Sequence, residues 1–258
     1  MFLDDPMISN IVFYPRKHSI PSNLDENIEV LKFQINDEIL IGGFFYKNDI
    51  KLPTILLFHG NGEIAMDYQY FISLFFECNV NLAVMDFRGY GFSTGNPVFS
   101  CLYDDALPVY TEFLKWIDEK GINDSIFVLG RSLGSHCAAE IGAQNPDKLH
   151  GIIFESAIGS TYTIMKQLFR ISNSQLTSES VKDWSNDRRA SKFKKPTLII
   201  HGTSDWIVPN EHGKILYNSI PNDIEKELIM IEGAGHNTIF QFKDNYFTPL
   251  KKFIDKYK

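Results

Sequence analysis

The 258 residues are 44% hydrophobic and 22% charged, with a formal net charge of −7. That composition suffices for one large α/β domain or two small ones, and the negative balance argues against nucleic acid or an anionic membrane as the main partner. Cys78, Cys101 and Cys137 lie far apart and make neither a disulfide framework nor a zinc spacing, which fits a reducing, cytoplasmic compartment.

The chain opens without a basic region followed by an apolar core, so no signal peptide is expected. Residues 1–27, punctuated by Pro6, Pro15 and Pro21, read as irregular. With Phe at position 2 and no cysteine before Cys78, no stable lipid anchor is expected. Ile28 to Phe33 and Glu38 to Tyr46 read as two strands joined at Asn36-Asp37, a hairpin. Thr54 to Phe58 is a buried-strand run that ends in His59-Gly60-Asn61-Gly62. Ile64, Tyr68, Phe71, Leu74 and Phe75 recur at helical spacing and predict a helix over about 63–78. Leu82 to Met85 is the next strand and runs into the glycine-rich loop Asp86-Phe87-Arg88-Gly89-Tyr90-Gly91-Phe92-Ser93. A helix near 101–120 leads to the strand Ser125 to Leu129. Gly151 to Phe154 and Thr197 to Ile200 are further strands, separated by the polar, serine-rich stretch 156–190. A helix near 210–219, the strand Leu228 to Ile231 and a helix near 239–256 complete the chain. This alternation predicts one mostly parallel sheet covered by helices on both faces, with an antiparallel first edge. No stretch is apolar for long enough to span a membrane.

The chemistry gathers beyond strand ends, where a parallel sheet collects reactive groups. Gly130-Arg131-Ser132-Leu133-Gly134 sits between a strand and a helix, the context of a nucleophile elbow. The chain reverses so sharply at the serine that side chains two positions away would collide with neighbouring backbone, and glycines remove those Cβ atoms. Asp205 follows the strand at 197–200, and His236 follows the last strand in Gly233-Ala234-Gly235-His236-Asn237. A serine hydroxyl needs a base: His236 is expected to take its proton, and Asp205 to orient the ring and stabilise the imidazolium. Glu155 also ends a strand and is the reserve acid. The backbone N–H of Leu133 and that of Asn61, which has a glycine on each side, are the expected oxyanion donors. Gly60-Asn61-Gly62-Glu63-Ile64-Ala65 also matches a dinucleotide fingerprint, but Glu63 would set a negative charge beside the pyrophosphate, and that reading leaves Ser132, Asp205 and His236 unexplained. Arg88 and Tyr90 are expected to organise their loop by hydrogen bonds. His59, His136 and His201 read as structural, no metal site is expected because no ligand cluster accompanies them, and no cofactor is expected.

His59-Gly60-Asn61-Gly62, Asp86-x-Arg88-Gly89-x-Gly91-x-Ser93, Gly130-x-Ser132-x-Gly134, His201-Gly202-x-x-Asp205 and Gly235-His236 together resemble the α/β-hydrolase superfamily over essentially residues 28–256. Within it the chain is similar to the group of monoacylglycerol lipases, depalmitoylases and proline-aminopeptidase-like enzymes. The resemblance implies an α/β-hydrolase fold in a single domain, 1–258, with a lid inserted after the sixth strand, about 157–190. It carries the triad and oxyanion roles onto Ser132, Asp205, His236, Leu133 and Asn61. The depalmitoylase members anchor through N-terminal cysteines, and this chain has none, which makes a membrane-protein substrate less expected.

Nothing identifies a peptide-amine clamp, so the expected reaction is hydrolysis of a small carboxylic ester or thioester through an acyl-enzyme. The alternatives are a proline-aminopeptidase-like amide hydrolase, a non-catalytic ligand-binding scaffold of the same fold, and the oxidoreductase that the fingerprint suggests. Ile164, Met165, Leu168 and Phe169 form one apolar helical stripe; it either seals the lid onto the main domain or lines an acyl slot. Phe92, Ile164, Leu168, Phe169 and Trp206 are the candidate substrate contacts, with Trp184 a further candidate wall.

Overall fold

The computed structural model describes residues 2–258. Eight strands, β1 (Ile28–Gln34), β2 (Leu40–Tyr46), β3 (Thr54–Phe58), β4 (Asn81–Met85), β5 (Ile126–Arg131), β6 (Leu149–Glu155), β7 (Thr197–Gly202) and β8 (Lys226–Ile231), form one sheet in the order β1-β2-β4-β3-β5-β6-β7-β8. β2 pairs antiparallel with both β1 and β4, and every pairing from β4 to β8 is parallel. The hairpin at the first edge is as the sequence predicts, its turn held by Asn36 Oδ1, which accepts the N–H groups of Glu38 and Ile39.

Parallel strands buried on both faces need unbroken apolar runs, and the two-residue period divides each run between two cores. Leu56, Ala83, Val128, Ile152 and Ile199 face one side. Their neighbours Leu57, Leu82, Phe127, Ile153 and Leu198 face the other.

The helices are α1 (Pro6–Val12), α2 (Ile72–Phe76), α3 (Cys101–Asp104), α4 (Ala106–Lys120), α5 (Ser135–Gln144), α6 (Thr161–Gln167), α7 (Asn186–Ala190), α8 (Glu211–Ser219) and α9 (Lys243–Tyr257). The first core packs against α1, α4, α5 and α8, the second against α2 and α9. Four expectations change. The segment read as irregular holds α1, which starts on Asp5, whose side chain accepts the Met7 N–H, with proline in its first turn, a start signal of the usual kind. The single helix predicted over 63–78 is a 3₁₀ segment, Ala65–Tyr70, followed by α2, with Phe71 between them. The single helix near 101–120 is divided at Asp105 into α3 and α4, and that carboxylate is taken by Arg88 through bonds of 2.7 and 2.6 Å. The single helix near 239–256 is a 3₁₀ turn, Ile239–Gln241, followed by α9, with Phe242 between them.

The stretch after β6 carries α6, a 3₁₀ turn at Lys182–Trp184 and α7. Its base is tied to α5 and α8. Asn186 Nδ2 donates to Ile158 O at 2.7 Å and to Ser135 Oγ at 3.1 Å, while Nδ1 of His212 accepts the N–H groups of Gly159 and Ser160 at 3.0 and 3.2 Å. Burial pushes His212 down to about 4, and a neutral ring is what those two bonds require. No helix among the described residues is long and apolar enough to cross a membrane, and all three cysteines are free and buried.

Candidate active site

Ser132 stands where β5 gives way to α5, at φ +49°, a left-handed conformation that costs a non-glycine residue and recurs at functional sites. Neither flanking glycine has room for a side chain. A Cβ on Gly134 would lie 2.0 Å from Phe58 O, and one on Gly130 would lie 2.6 Å from Ser135 Cα. Ser135 Oγ donates to Ser132 O at 2.6 Å and accepts the Ile158 N–H at 3.1 Å, which clamps the turn. Leu133 lies in the turn that leads into α5, where main-chain N–H groups have no preceding carbonyl to bond.

His236 follows β8 in a turn closed by Thr238, whose Oγ1 accepts the Gly235 N–H at 3.0 Å. His236 Nδ1 lies 2.7 Å from Asp205 Oδ2. The other oxygen of Asp205 accepts the N–H groups of Ile207 and Val208 at 3.0 and 2.8 Å. Burial on its own would raise the Asp205 carboxyl, but the hydrogen bonds from His201 and His236, the charge of His236 and the Val208 N–H outweigh it and hold the group well below the usual carboxylate range. Asp205 is therefore ionised near neutral pH, and His236 Nδ1 is the donor in their bond.

Ser132, Leu133, His236 and Asn61 line one cavity of about 440 Å³, walled by Ile11, Tyr14, Ile158, Leu168, Phe169 and Ile207. Asn61 is held through its side chain. Its Oδ1 accepts from Tyr90 Oη at 2.7 Å and from the Tyr14 N–H at 3.0 Å, and its Nδ2 donates to Val12 O at 2.6 Å.

The carboxylate bonded to His236 Nδ1 is that of Asp205, not that of Glu155. Glu155 is fully buried and pairs with Arg131 through Nη1; burial raises its carboxyl and the Arg131 charge opposes that rise. The dinucleotide fingerprint also finds another use, because the Gly60 N–H donates to Glu63 Oε2 at 2.8 Å and a 3₁₀ segment follows instead of an α-helix. His59 and His201 are bonded within the fold, to Gly60 O and Asp86 and to Val208 O respectively. His136 lies 2.6 Å from Tyr103 Oη and 3.0 Å from Asn186 Oδ1.

Leu168 and Phe169 line the cavity, whereas Ile164 is fully buried in the core and is not part of the wall. The stripe divides because α6 ends at Gln167 and Leu168 is its C-cap. Phe92 packs on Phe44 at 5.7 Å and covers Gly42, away from the cavity. Trp206 is 90% exposed and its neighbour Ile207 reaches the wall instead, because Asp205 holds the N–H groups of both Ile207 and Val208 and fixes the turn. Trp184 packs against Tyr103 at 5.4 Å. Ile11, Tyr14 and Asn237 also line the cavity, with no sequence motif that marks them, and Arg131 is more than a spacer in the elbow. An arginine continuing a wholly buried strand is the one signal that marks it.

Residues 51–186 and 184–242 match the family model described as serine aminopeptidase, S33. The chain is 29% identical over 204 residues to the alpha/beta hydrolase domain-containing protein aho-3 of Caenorhabditis elegans, covering 78% of this chain and 57% of that protein. It is 27% identical over 206 residues to alpha/beta hydrolase domain-containing protein 17B of Homo sapiens, covering 79% and 66% respectively. The matches thus span less than two thirds of the length of either relative. Among solved structures, the esterase Pf2001 of Pyrococcus furiosus superposes with a TM-score of 0.74 at 18% identity, covering 94% of this chain and 98% of that one. A bromoperoxidase from Bacillus anthracis superposes at 0.66 with 18% identity, covering 88% and 100%. At that identity these likenesses concern the fold alone.

Proposed function

The chain belongs to the serine aminopeptidase S33 family and has the α/β-hydrolase fold, and from that premise we propose a serine hydrolase that cleaves small carboxylic esters or thioesters through an acyl-enzyme. The observation that carries the reading is the 2.7 Å bond from His236 Nδ1 to Asp205 Oδ2 beside a serine at φ +49°, both Ser132 and His236 opening onto one cavity. With Nδ1 protonated, Nε2 has a free lone pair. It takes the Ser132 proton as Oγ attacks the acyl carbon, and returns it to the leaving alkoxide or thiolate. Water then enters and attacks the acyl carbon as His236 takes its proton; the bond to Ser132 Oγ breaks, His236 returns the proton to Oγ, and the acyl group leaves as the acid. Asp205, held ionised, stabilises the imidazolium formed in both halves. The Leu133 N–H in the turn that leads into α5, assisted by that helix's dipole, and the Asn61 N–H are the proposed oxyanion donors. Asn61 suits that task because its side chain is spent on Tyr90, Tyr14 and Val12, which fixes its backbone.

The cavity walls support an acyl substrate, Ile11, Leu133, Ile158, Leu168, Phe169 and Ile207 being apolar. They give little support to a peptide. Among the described residues lining the cavity the one acid is Glu63, and its oxygens are engaged by Arg131, Gly60 and Tyr68, so it is not free to hold a peptide's α-ammonium. The segment 157–190, which supplies Ile158, Leu168 and Phe169, is the proposed lid, and the compartment is taken to be the cytoplasm. A fluorophosphonate probe tests the reading. Mass spectrometry should place the adduct on Ser132, and Ser132→Ala should lower turnover of p-nitrophenyl esters by about 10⁴–10⁶-fold. A label elsewhere, with Ser132 unmodified, sinks the proposal. An inert probe would favour the non-catalytic scaffold.

A further inference from the structure

The residue before the elbow serine is a buried arginine, 6% exposed. Its guanidinium has five N–H donors in a rigid fork, and the structure gives it five bonds. Nε donates to Glu63 Oε1 at 2.7 Å. Nη1 donates to Glu155 Oε1 and to the main-chain O of His236 at 3.2 Å. Nη2 donates to the same His236 O at 3.2 Å and to Asn237 Oδ1 at 3.3 Å. Glu63 passes the connection on, its Oε2 accepting the Gly60 N–H at 2.8 Å and the Tyr68 hydroxyl at 3.0 Å. One side chain on the elbow thus ties together the turn after β3, the end of β6 and the histidine loop after β8. Burial would lower the Glu63 carboxyl's readiness to ionise, but the Arg131 charge and hydrogen bond outweigh it and bring Glu63 down to about 2.

A buried cluster of this kind is an inefficient way to stabilise a fold, because desolvation offsets most of the attraction. What it does provide is geometry. We propose that Arg131 is a positioning residue: its guanidinium ties the His236 loop to the Gly60–Glu63 turn, so that the base and the oxyanion loop keep a fixed relation to Ser132. This rests on the reading of Ser132 and His236 as nucleophile and base. The fork is essential to it. Lysine carries the same charge and can neutralise Glu63 and Glu155, but it cannot reach the carboxylates and the His236 carbonyl together in fixed directions.

The test is a double-mutant cycle of Arg131→Lys, Glu63→Gln and the pair, with kcat and KM on p-nitrophenyl acetate corrected for the folded fraction by circular dichroism. The amide that Glu63→Gln introduces offers an acceptor to Arg131 or to the Gly60 N–H but not to both, so it cuts the same tie from the other end. Each single variant should lose about 30–100-fold in kcat with KM within about three-fold, since a misplacement on the order of 1 Å costs about 10²-fold. The pair should lose no more than the worse single variant, because both break one connection. Single variants with unchanged kcat per folded molecule, or losses that multiply in the pair, overturn the inference. Should Arg131→Lys fail to fold, Asn237→Ala, which removes a partner of Arg131 on the histidine side, takes its place in the cycle with the same expectations. Fluorophosphonate labelling of the wild-type chain separates the two levels. A labelled, active wild type with an inert cycle overturns the positioning role alone, whereas an unlabelled wild type overturns the hydrolase reading and this inference together.

Discussion

Asp205→Asn isolates the part that the carboxylate plays, because the structure dictates how an amide must sit there. Asp205 Oδ1 accepts two main-chain N–H groups, from Ile207 at 3.0 Å and Val208 at 2.8 Å, while Oδ2 faces His236 Nδ1 at 2.7 Å. Asparagine has one acceptor oxygen. If it keeps the turn, its NH₂ occupies the Oδ2 position and points at Nδ1. His236 must then carry its proton on Nε2, where it cannot accept one from Ser132. Flipping the amide restores the working tautomer but sets an NH₂ against two N–H donors, at about 1–3 kcal/mol for each buried donor left unsatisfied. The sum of about 2–6 kcal/mol confines the productive arrangement to between about one part in 30 and one in 10⁴, at about 1.4 kcal/mol per ten-fold. The imidazolium also loses its counter-charge. Together these place the expected fall in kcat/KM on a short p-nitrophenyl ester at about 10³–10⁴-fold near neutral pH. The melting temperature should move by no more than about 2–4 °C, since the turn is kept. Glu155→Gln is the control. Its carboxylate is committed to Arg131, so the change should lower the melting temperature while kcat/KM falls far less. An Asp205→Asn enzyme within ten-fold of wild type, or a Glu155→Gln enzyme that loses turnover while Asp205→Asn retains it, would refute the reasoning and pass the role of acid to Glu155.

Leu168→Asp and Phe169→Asp put a charge on the cavity wall and should reduce turnover of long-chain p-nitrophenyl esters more than that of the acetate; equal losses along the series, with folding intact, would assign both side chains to packing. Burial holds His136 at about 3 and His212 at about 4, so between about pH 6.5 and 4 the unfolded chain binds protons that the folded chain does not, and these groups make stability fall as the pH drops through that window, by up to roughly 1.4 kcal/mol per pH unit for each group. His212→Asn keeps an acceptor for the Gly159 and Ser160 N–H groups and should flatten the dependence in urea unfolding at several pH values; an unchanged slope would count against a neutral His212.

The sequence by itself determined the sheet and the chain positions of the candidate site. β3 falls on Thr54–Phe58, where the run Ile55–Phe58 is apolar throughout, because a strand buried on both faces reads as a near-continuous apolar stretch and so announces its place. Ser132, Asp205 and His236 were legible for a related reason: each stands just past such a run, and a parallel sheet brings those ends to one edge. Helices short enough to be broken by one residue were less legible. The period through Ile64, Tyr68 and Phe71 is real, but it does not distinguish a 3₁₀ segment and a short helix from one continuous helix. Nor does periodicity say what a face meets. Ile164 and Leu168 belong to one stripe, yet the first is sealed in the core and the second reaches the cavity, since α6 ends between them. Only the tertiary structure decided the place of Arg131. Its partners lie 68, 24 and 105 positions away in the chain, and a hydrogen bond forms according to where the folded backbone brings a donor and an acceptor, which no local pattern of residues encodes.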